Sequence, residues 1–462
     1  MVSENRMAFF NIVSTVLVAG INFFTIPIFT RTLSPEGFGI VNIYNAWVQI
    51  CTIIVGLKAD GSIGSAKANL PEDEQDSYHL SILALGLLSF TVVMGLLLAF
   101  MPQVSNLLDM EPLLVVAMAL QSLGAFVVSL FSMRFIFRRQ AQLNLFVSVG
   151  VCAATTVVSL LLIFFVFTGE DGYRGRVLGL SLPYLLVGIM LFVWLCMSTD
   201  ARAKISYWKF CLALTLPLIF HGLSQIALAQ IGRITVQRVE GYSAAGVYSI
   251  AVTIVNVLNS IYTALNNAFV PFMYDDLAGK TGEAVKRKRF HNYMLLFTLG
   301  CCAFMLMVPE VLKVLSTEEY GGAVALLPPL VAGQYCVFLY SFPVNYEFYA
   351  MRTRSVAIGT ALAALLDLVL SVALVPTLGM MGAAMATMCS YLALFIFHFL
   401  IARYALGDRN YPARAFAVGL AAVLVACAAS YPLDGLPVIR WAVGLVLLAV
   451  AFGRVVENRA IF

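Results

Sequence analysis

The chain has 462 residues, 61% of them apolar and only 11% charged, with a mean hydropathy of +0.93. A water-soluble domain carries about 25% charge, so this sequence cannot clothe itself in water-compatible surface and reads as an integral membrane protein. The net charge of +4 is modest, no nucleic-acid partner is expected, and the lack of strand-like alternation excludes an outer-membrane barrel.

Arg6 precedes an apolar run that ends near Phe29. The run is too long for a signal-peptide core and no small-residue cleavage site follows, so residues 8–30 form a retained first span. Next comes Arg31-Thr-Leu-Ser-Pro-Glu-Gly-Phe-Gly39, then a second span over 39–57. Asn42, Asn45 and Gln49 lie at i, i+3 and i+7 of that span and share a face. Spans follow at 80–101, 112–134, 143–168 and 177–197, with Lys58 and Arg134 at the internal ends of the second and fourth.

The seventh span covers 210–232. It leads through Arg233 to Arg238-Val-Glu-Gly-Tyr-Ser-Ala-Ala-Gly246, which lies 207 positions after the first Arg-to-Gly stretch. The eighth, 244–273, again carries a polar stripe of Asn256, Asn259, Thr263 and Asn267. Ala278-Gly-Lys-Thr281 imitates the end of a phosphate-binding loop, but Tyr274 stands where that motif needs glycine and no strand precedes it. Further spans cover 291–315, 323–350, 355–376, 380–402, 412–431 and 437–455, giving an all-α membrane protein of fourteen spans. Most have the length a helix needs to cross ~30 Å of hydrocarbon.

Two other matches extend the internal repeat. Gly169-Glu-Asp-Gly172 corresponds to Gly379-Met-Met-Gly382, and Phe135-Ile-Phe-Arg-Arg139 to Phe348-Tyr-Ala-Met-Arg352. Spans 1–6 and 7–12 are therefore two copies, and an even number of helices per copy makes them parallel repeats. The expected organisation is an N-terminal lobe over 1–209, a C-terminal lobe over 210–404 and an appended helix pair over 405–462. Loops on the side of the N-terminus, with both termini, hold 21 of the 28 Lys and Arg residues. The positive-inside rule then places both termini in the cytoplasm.

No loop exceeds about 25 residues, which leaves no room for the external domain of a membrane polymerase or ligase, and no enzymatic activity is expected. All nine cysteines fall inside apolar runs without a CxxC or Cys/His pattern. They read as small buried hydrophobes, and neither a metal nor a cofactor is expected. Asp367, in the middle of the eleventh span, needs a cavity or a partner at that depth and is the candidate for ion coupling; a protonated structural role is the alternative. Glu347 lies close enough in sequence to Arg352 and Arg354 to pair with them, while His221 and His398 read as packed, hydrogen-bonded histidines. Arg31, Lys58, Arg134, Arg233 and Arg238 fit two readings. They are headgroup anchors, or they form a cationic site for phosphate, which the arginine fork bonds through two oxygens. The matched polar stripes favour a cavity between the two copies. Pro27, Pro183, Pro217, Pro271 and Pro343 are expected to kink their helices.

The fourteen spans, the duplicated halves, the Arg31…Pro35-Glu-Gly-Phe-Gly39 loop and the Gly246-Val-Tyr-Ser-Ile-Ala251 helix start together resemble the polysaccharide-transport branch of the MOP exporter superfamily. Wzx-type O-antigen flippases belong to that branch. The resemblance covers nearly the whole chain. It implies a V-shaped pair of six-helix lobes with a cationic cavity, moving a polyprenyl-diphosphate-linked oligosaccharide across a bacterial inner membrane. The lipid-linked sugar and membrane lipids would be its partners, with a polysaccharide polymerase and glycosyltransferases as candidate protein partners. A MATE-like multidrug or cation antiporter is the alternative. Such proteins typically carry a carboxylate in their N-terminal lobe, and here the first span has none.

Overall fold

The computed structural model describes residues 4–458, which are almost wholly α-helical, with no strand among them. Among these residues, thirteen helices are long and apolar enough to cross a membrane. One of them, Ser206–Leu277, has 72 residues. At ~1.5 Å per residue an unbroken rod of that length would reach roughly 108 Å, several bilayer cores. It is interrupted at Gly241, where φ is 87° and ψ is −178°, a conformation that only a residue without Cβ adopts cheaply. The helix therefore counts as two spans, and the described residues hold fourteen.

These are α1 (Glu4–Thr32), α2 (Pro35–Gly56), α3 (Gln75–Ala99), α4 (Pro112–Phe137), α5 (Ala141–Phe165), α6 (Gly172–Ser198), α7 (206–240), α8 (242–277), α9 (Glu283–Leu315), α10 (Leu327–Tyr349), α11 (Thr353–Leu378), α12 (Met380–Leu400), α13 (Ala413–Ser430) and α14 (Pro437–Asn458). Local chemistry fixes several starts. The Ser34 hydroxyl accepts the Gly37 N–H at 3.2 Å, and Pro35 occupies the first turn of α2.

Two boundaries depart from expectation. The segment after Arg233 is not a loop: α7 continues through Arg238 to the single break at Gly241. The basic run Lys286–Arg289 is also helical, because α9 begins at Glu283, well before its apolar stretch. Polar partners extend it there. Lys286 bonds Asn410 at 2.6 Å and Glu283 at 3.3 Å, and Arg289 bonds Asp276 at 2.7 Å.

The chain forms two compact units, Met1–Ile226 and Ala227–Phe462, dividing within α7. In the first, α2 packs on α4, α1 on α5, and both α4 and α5 on α6. Glycines let these backbones approach closely. Gly56 and Gly86 line a slot filled by the Phe126 ring, Gly124 rests on the backbone of Tyr184, and Gly179 rests on Ser159. In the second unit α10 and α11 pack on α12, Leu228 of α7 meets Ala363 and Leu394, and Tyr262 of α8 meets Phe338 of α10. Helix for helix, this repeats the pairings of the first unit. Its core is aromatic: Phe297 stacks on Phe338 at 4.3 Å, and the tilted rings of Phe269 and Tyr293 lie 4.6 Å apart. The last two helices pack along α9. Arg440 and Trp441 both bond Glu310 there, Trp441 at 3.0 Å.

The duplication is visible in the turns as well. Arg139 (φ 58°) and Met351 (φ 59°) occupy the left-handed region at corresponding α4–α5 and α10–α11 turns. Gly169 (φ 68°) and Gly379 (φ 58°) do so at the next turn of each copy. Ser34 and Gly241, where α1–α2 and α7–α8 reverse, are separated by the same 207 positions as Arg31 and Arg238.

Candidate functional site

In the first unit the expected cations have different surroundings. Arg31 is exposed at the end of α1, its Nη1 3.5 Å from the Pro27 carbonyl. Lys58 is the second of two consecutive residues in the left-handed region that end α2, Leu57 (φ 49°) and Lys58 (φ 52°). Such conformations cost about 1–2 kcal/mol per residue without glycine. They carry the Lys58 stem across α7, where a Cβ on Gly222 would stand 3.0 Å from Lys58 Cε. No acidic residue pairs with Lys58 among the described residues. Arg134, by contrast, is 2% exposed and donates to Asp76 at 2.7 Å, an oxygen it shares with Arg138. Its guanidinium also lies over Trp194 at 5.1 Å. One edge of its guanidinium is thus occupied within the unit, while Nε and Nη1 have no partner among the described residues.

Asn42 turns back to the Phe38 carbonyl at 2.8 Å, and both it and Asn45 are half-buried, while Gln49 is exposed. In the second unit the corresponding stripe is open. Asn256, Asn259, Thr263 and Asn267 of α8 are all exposed, and Gln334 donates to Asn259 at 3.1 Å. Arg238 is exposed near the end of α7. Arg233 is buried, bonded to Gln230 at 2.6 Å, with its Nε unpartnered and no carboxylate pairing with it among the described residues.

Asp367 on α11 is fully buried, and neither carboxylate oxygen completes a hydrogen bond among the described residues. The hydroxyls of Thr387 and Ser390, one turn apart on α12, face it. Tyr248 lies within electrostatic reach of both Asp367 and Arg233, its phenol against Gly232. The fold therefore gathers Arg233, Tyr248 and Asp367 inside one unit, although they are far apart in sequence.

Glu347 does not pair with Arg352 or Arg354. It pairs with His398 at 2.6 Å, and both side chains are wholly buried. The left-handed turn at Met351 leaves the two arginines exposed and brings Ser355 back to bond Glu347 instead. His398 is packed and hydrogen-bonded as expected; His221 is half-buried with its Nδ1 unpartnered.

Arg176 is not a sequence candidate, because it immediately precedes the apolar run of the sixth span, 177–197. It lies inside α6, half-buried, bonded to Ser159 at 2.8 Å and facing the Phe29 ring at 3.8 Å. The sequence carries a signal for it: Gly172, Gly175 and Gly179 mark a close-packed helix face that starts before the apolar run.

The pattern of the family described as "Polysaccharide biosynthesis protein" matches residues 6–275, more than half of the chain. The chain belongs to this family. An "uncharacterized membrane protein" of Haemophilus influenzae is 23% identical over 364 residues, covering 75% of this chain and 84% of that protein. Among solved structures, lipid II flippase MurJ in an inward closed conformation is similar, with a TM-score of 0.71 at 12% identity over 98% of both chains. An inward-facing multidrug resistance MATE family transporter of the MOP superfamily gives 0.65 at 14% identity, over 86% of this chain and 98% of that one. At these identities the structures establish a shared fold, and this member of the polysaccharide biosynthesis family has it across nearly its whole length.

Proposed function

We propose that this protein is a flippase carrying a polyprenyl-diphosphate-linked oligosaccharide, such as an O-antigen repeat unit, from the cytoplasmic to the outer leaflet of a bacterial inner membrane. Both termini are cytoplasmic in this reading, in line with the bias of Lys and Arg toward one set of loops. The observation that carries the proposal is the open stripe on α8. Four exposed polar residues at membrane depth would be costly against lipid tails, so they face water or a hydrated substrate. Lys58 and Arg233, neither matched by a carboxylate, supply positive charge for a diphosphate. Arg31 and Arg238 add exposed charge, and Asn42, Asn45 and Gln49 offer bonds to sugar hydroxyls. Glycosyltransferases and a polymerase would act before and after this step.

The test is export of surface glycan by cells carrying Gln at Lys58, Arg233 or Arg238, at matched protein level in the membrane. Two unit charges ~6 Å apart at an effective dielectric of ~20 attract by roughly 3 kcal/mol, so Arg233→Gln should reduce export severely. Arg238→Lys should do less harm than Arg238→Gln, since lysine keeps the charge and loses only the fork. Normal export by all the Gln variants would remove the cationic-site reading.

A second reading, a cation-coupled antiporter, is favoured by the buried Asp367. If Asp367 couples transport to a gradient, Asp367→Asn should leave the protein folded and abolish gradient-driven transport in proteoliposomes. Unchanged rates would make it a structural residue.

A further inference from the structure

The geometry points to Arg176 as a binding residue for the phosphate of an anionic substrate. The inference rests on the flippase reading and adds a residue from a different helix to it. Arg176 lies four residues into α6, about 6 Å from the α5–α6 turn by helical rise. Side chains in a helix lean toward its N-terminus, which for α6 is that turn and the membrane surface beyond it. An anchoring arginine would reach the headgroups that way. Arg176 reaches the opposite way. Its Nη1 bonds Ser159 Oγ at 2.8 Å and approaches the Thr155 carbonyl at 3.5 Å. Those residues lie six and ten positions before the end of α5 at Phe165, about 9 and 15 Å in from it.

The surroundings are neutral. Phe29 covers one face of the guanidinium at 3.8 Å, Ser159 and Thr155 offer uncharged oxygens, and Cys152 lies nearby, its thiol 3.6 Å from Asn22 Oδ1. No carboxylate pairs with Arg176 among the described residues, whereas Arg134 has Asp76 and Arg174 has Glu111 and Asp171. A guanidinium in this setting, held on one edge with its charge unmatched, is destabilising when the protein is empty. A bound phosphate oxygen would complete both its charge and its fork.

This gives stability and binding opposite signs, which a structural arginine would not do. The experiment measures thermal unfolding of the full chain in nanodiscs, empty and with polyprenyl diphosphate, inorganic pyrophosphate or added phosphatidylglycerol. Empty Arg176→Met should unfold at a higher temperature than wild type, and its affinity for polyprenyl diphosphate should fall about tenfold or more, the loss expected for a charge-assisted bond. Arg176→Lys should bind with intermediate affinity, and it keeps the test decisive if the Met variant does not fold. A wild-type response to phosphatidylglycerol as large as that to polyprenyl diphosphate, lost in Arg176→Met, supports the phosphate site while overturning the flippase substrate. The inference is overturned if empty Arg176→Met is less stable and binds as wild type does, if the Lys variant binds unchanged, or if no phosphate probe shifts the wild type.

Discussion

The two units share helix pairings and turn geometry but differ in the charges they bury. In the first, the deeply placed ionised groups are arginines. Arg134 is matched at one edge by Asp76, while Arg176 meets only neutral groups and a ring. The second buries arginines too, Arg233 and Arg440, but adds wholly buried acids: Asp367, neither of whose oxygens completes a hydrogen bond among the described residues, and Glu347 against His398. Packing differs in the same way, with glycine-lined slots in the first unit and stacked rings in the second. A duplicated backbone thus fixes where helices meet and leaves the chemistry at each meeting free to diverge.

The largest expected effect comes from breaking the buried acid–imidazole pair. Glu347→Leu should destabilise the protein by about 3–5 kcal/mol, because His398 is left without a partner in an apolar setting. Replacing both residues with leucine should recover much of that loss in thermal unfolding. No recovery would mean that Glu347 acts through Ser355 rather than His398.

In the first unit Asp76→Ala removes the carboxylate that Arg134 and Arg138 share. It should cost about 2–3 kcal/mol, less than the Glu347 change because Asp76 is 22% exposed and water can reach the site. Unfolding of the variant in the same detergent measures the difference.

The matched glycines sharpen the comparison further. Alanine at Gly379 (φ 58°, ψ −144°) would be strained and would also meet the Glu240 carboxylate, which accepts the Met380 N–H at 3.1 Å. Gly169 (φ 68°) has open space around it. Gly379→Ala should therefore lose about 2 kcal/mol or more and Gly169→Ala about 1 kcal/mol. Equal losses would show that backbone strain alone matters at both turns.

The smallest effect is at Glu111, outside the spans. A hydrogen bond from Arg174 holds its carboxyl below the usual carboxylate range. A depressed folded-state pKa contributes stability above the unfolded value of ~4.3 and loses it as pH falls through the folded value. The stability difference between wild type and Glu111→Gln should be full above about pH 5 and fade on further acidification.

Much of this fold was legible. Apolar run lengths located all fourteen spans, because each must satisfy its own backbone in lipid. The repeat was legible from Arg31 and Arg238 and from Gly169 and Gly379, where turn geometry restricts residue choice. Helix ends were not, since Lys286 and Arg289 extend α9 through bonds to Asn410 and Asp276 that no local pattern announces. Pairing was the least legible of all. Glu347 selected His398, 51 positions away, over two nearer arginines, and only the course of the chain at Met351 decides that.

Gly241 has a consequence for how the protein is made. The reversal between α7 and α8 is confined to one residue, so no hydrophilic loop exists there to wait on the far side of the bilayer. The two helices must then enter the membrane together, as a hairpin delivered by the insertion machinery, rather than one after the other.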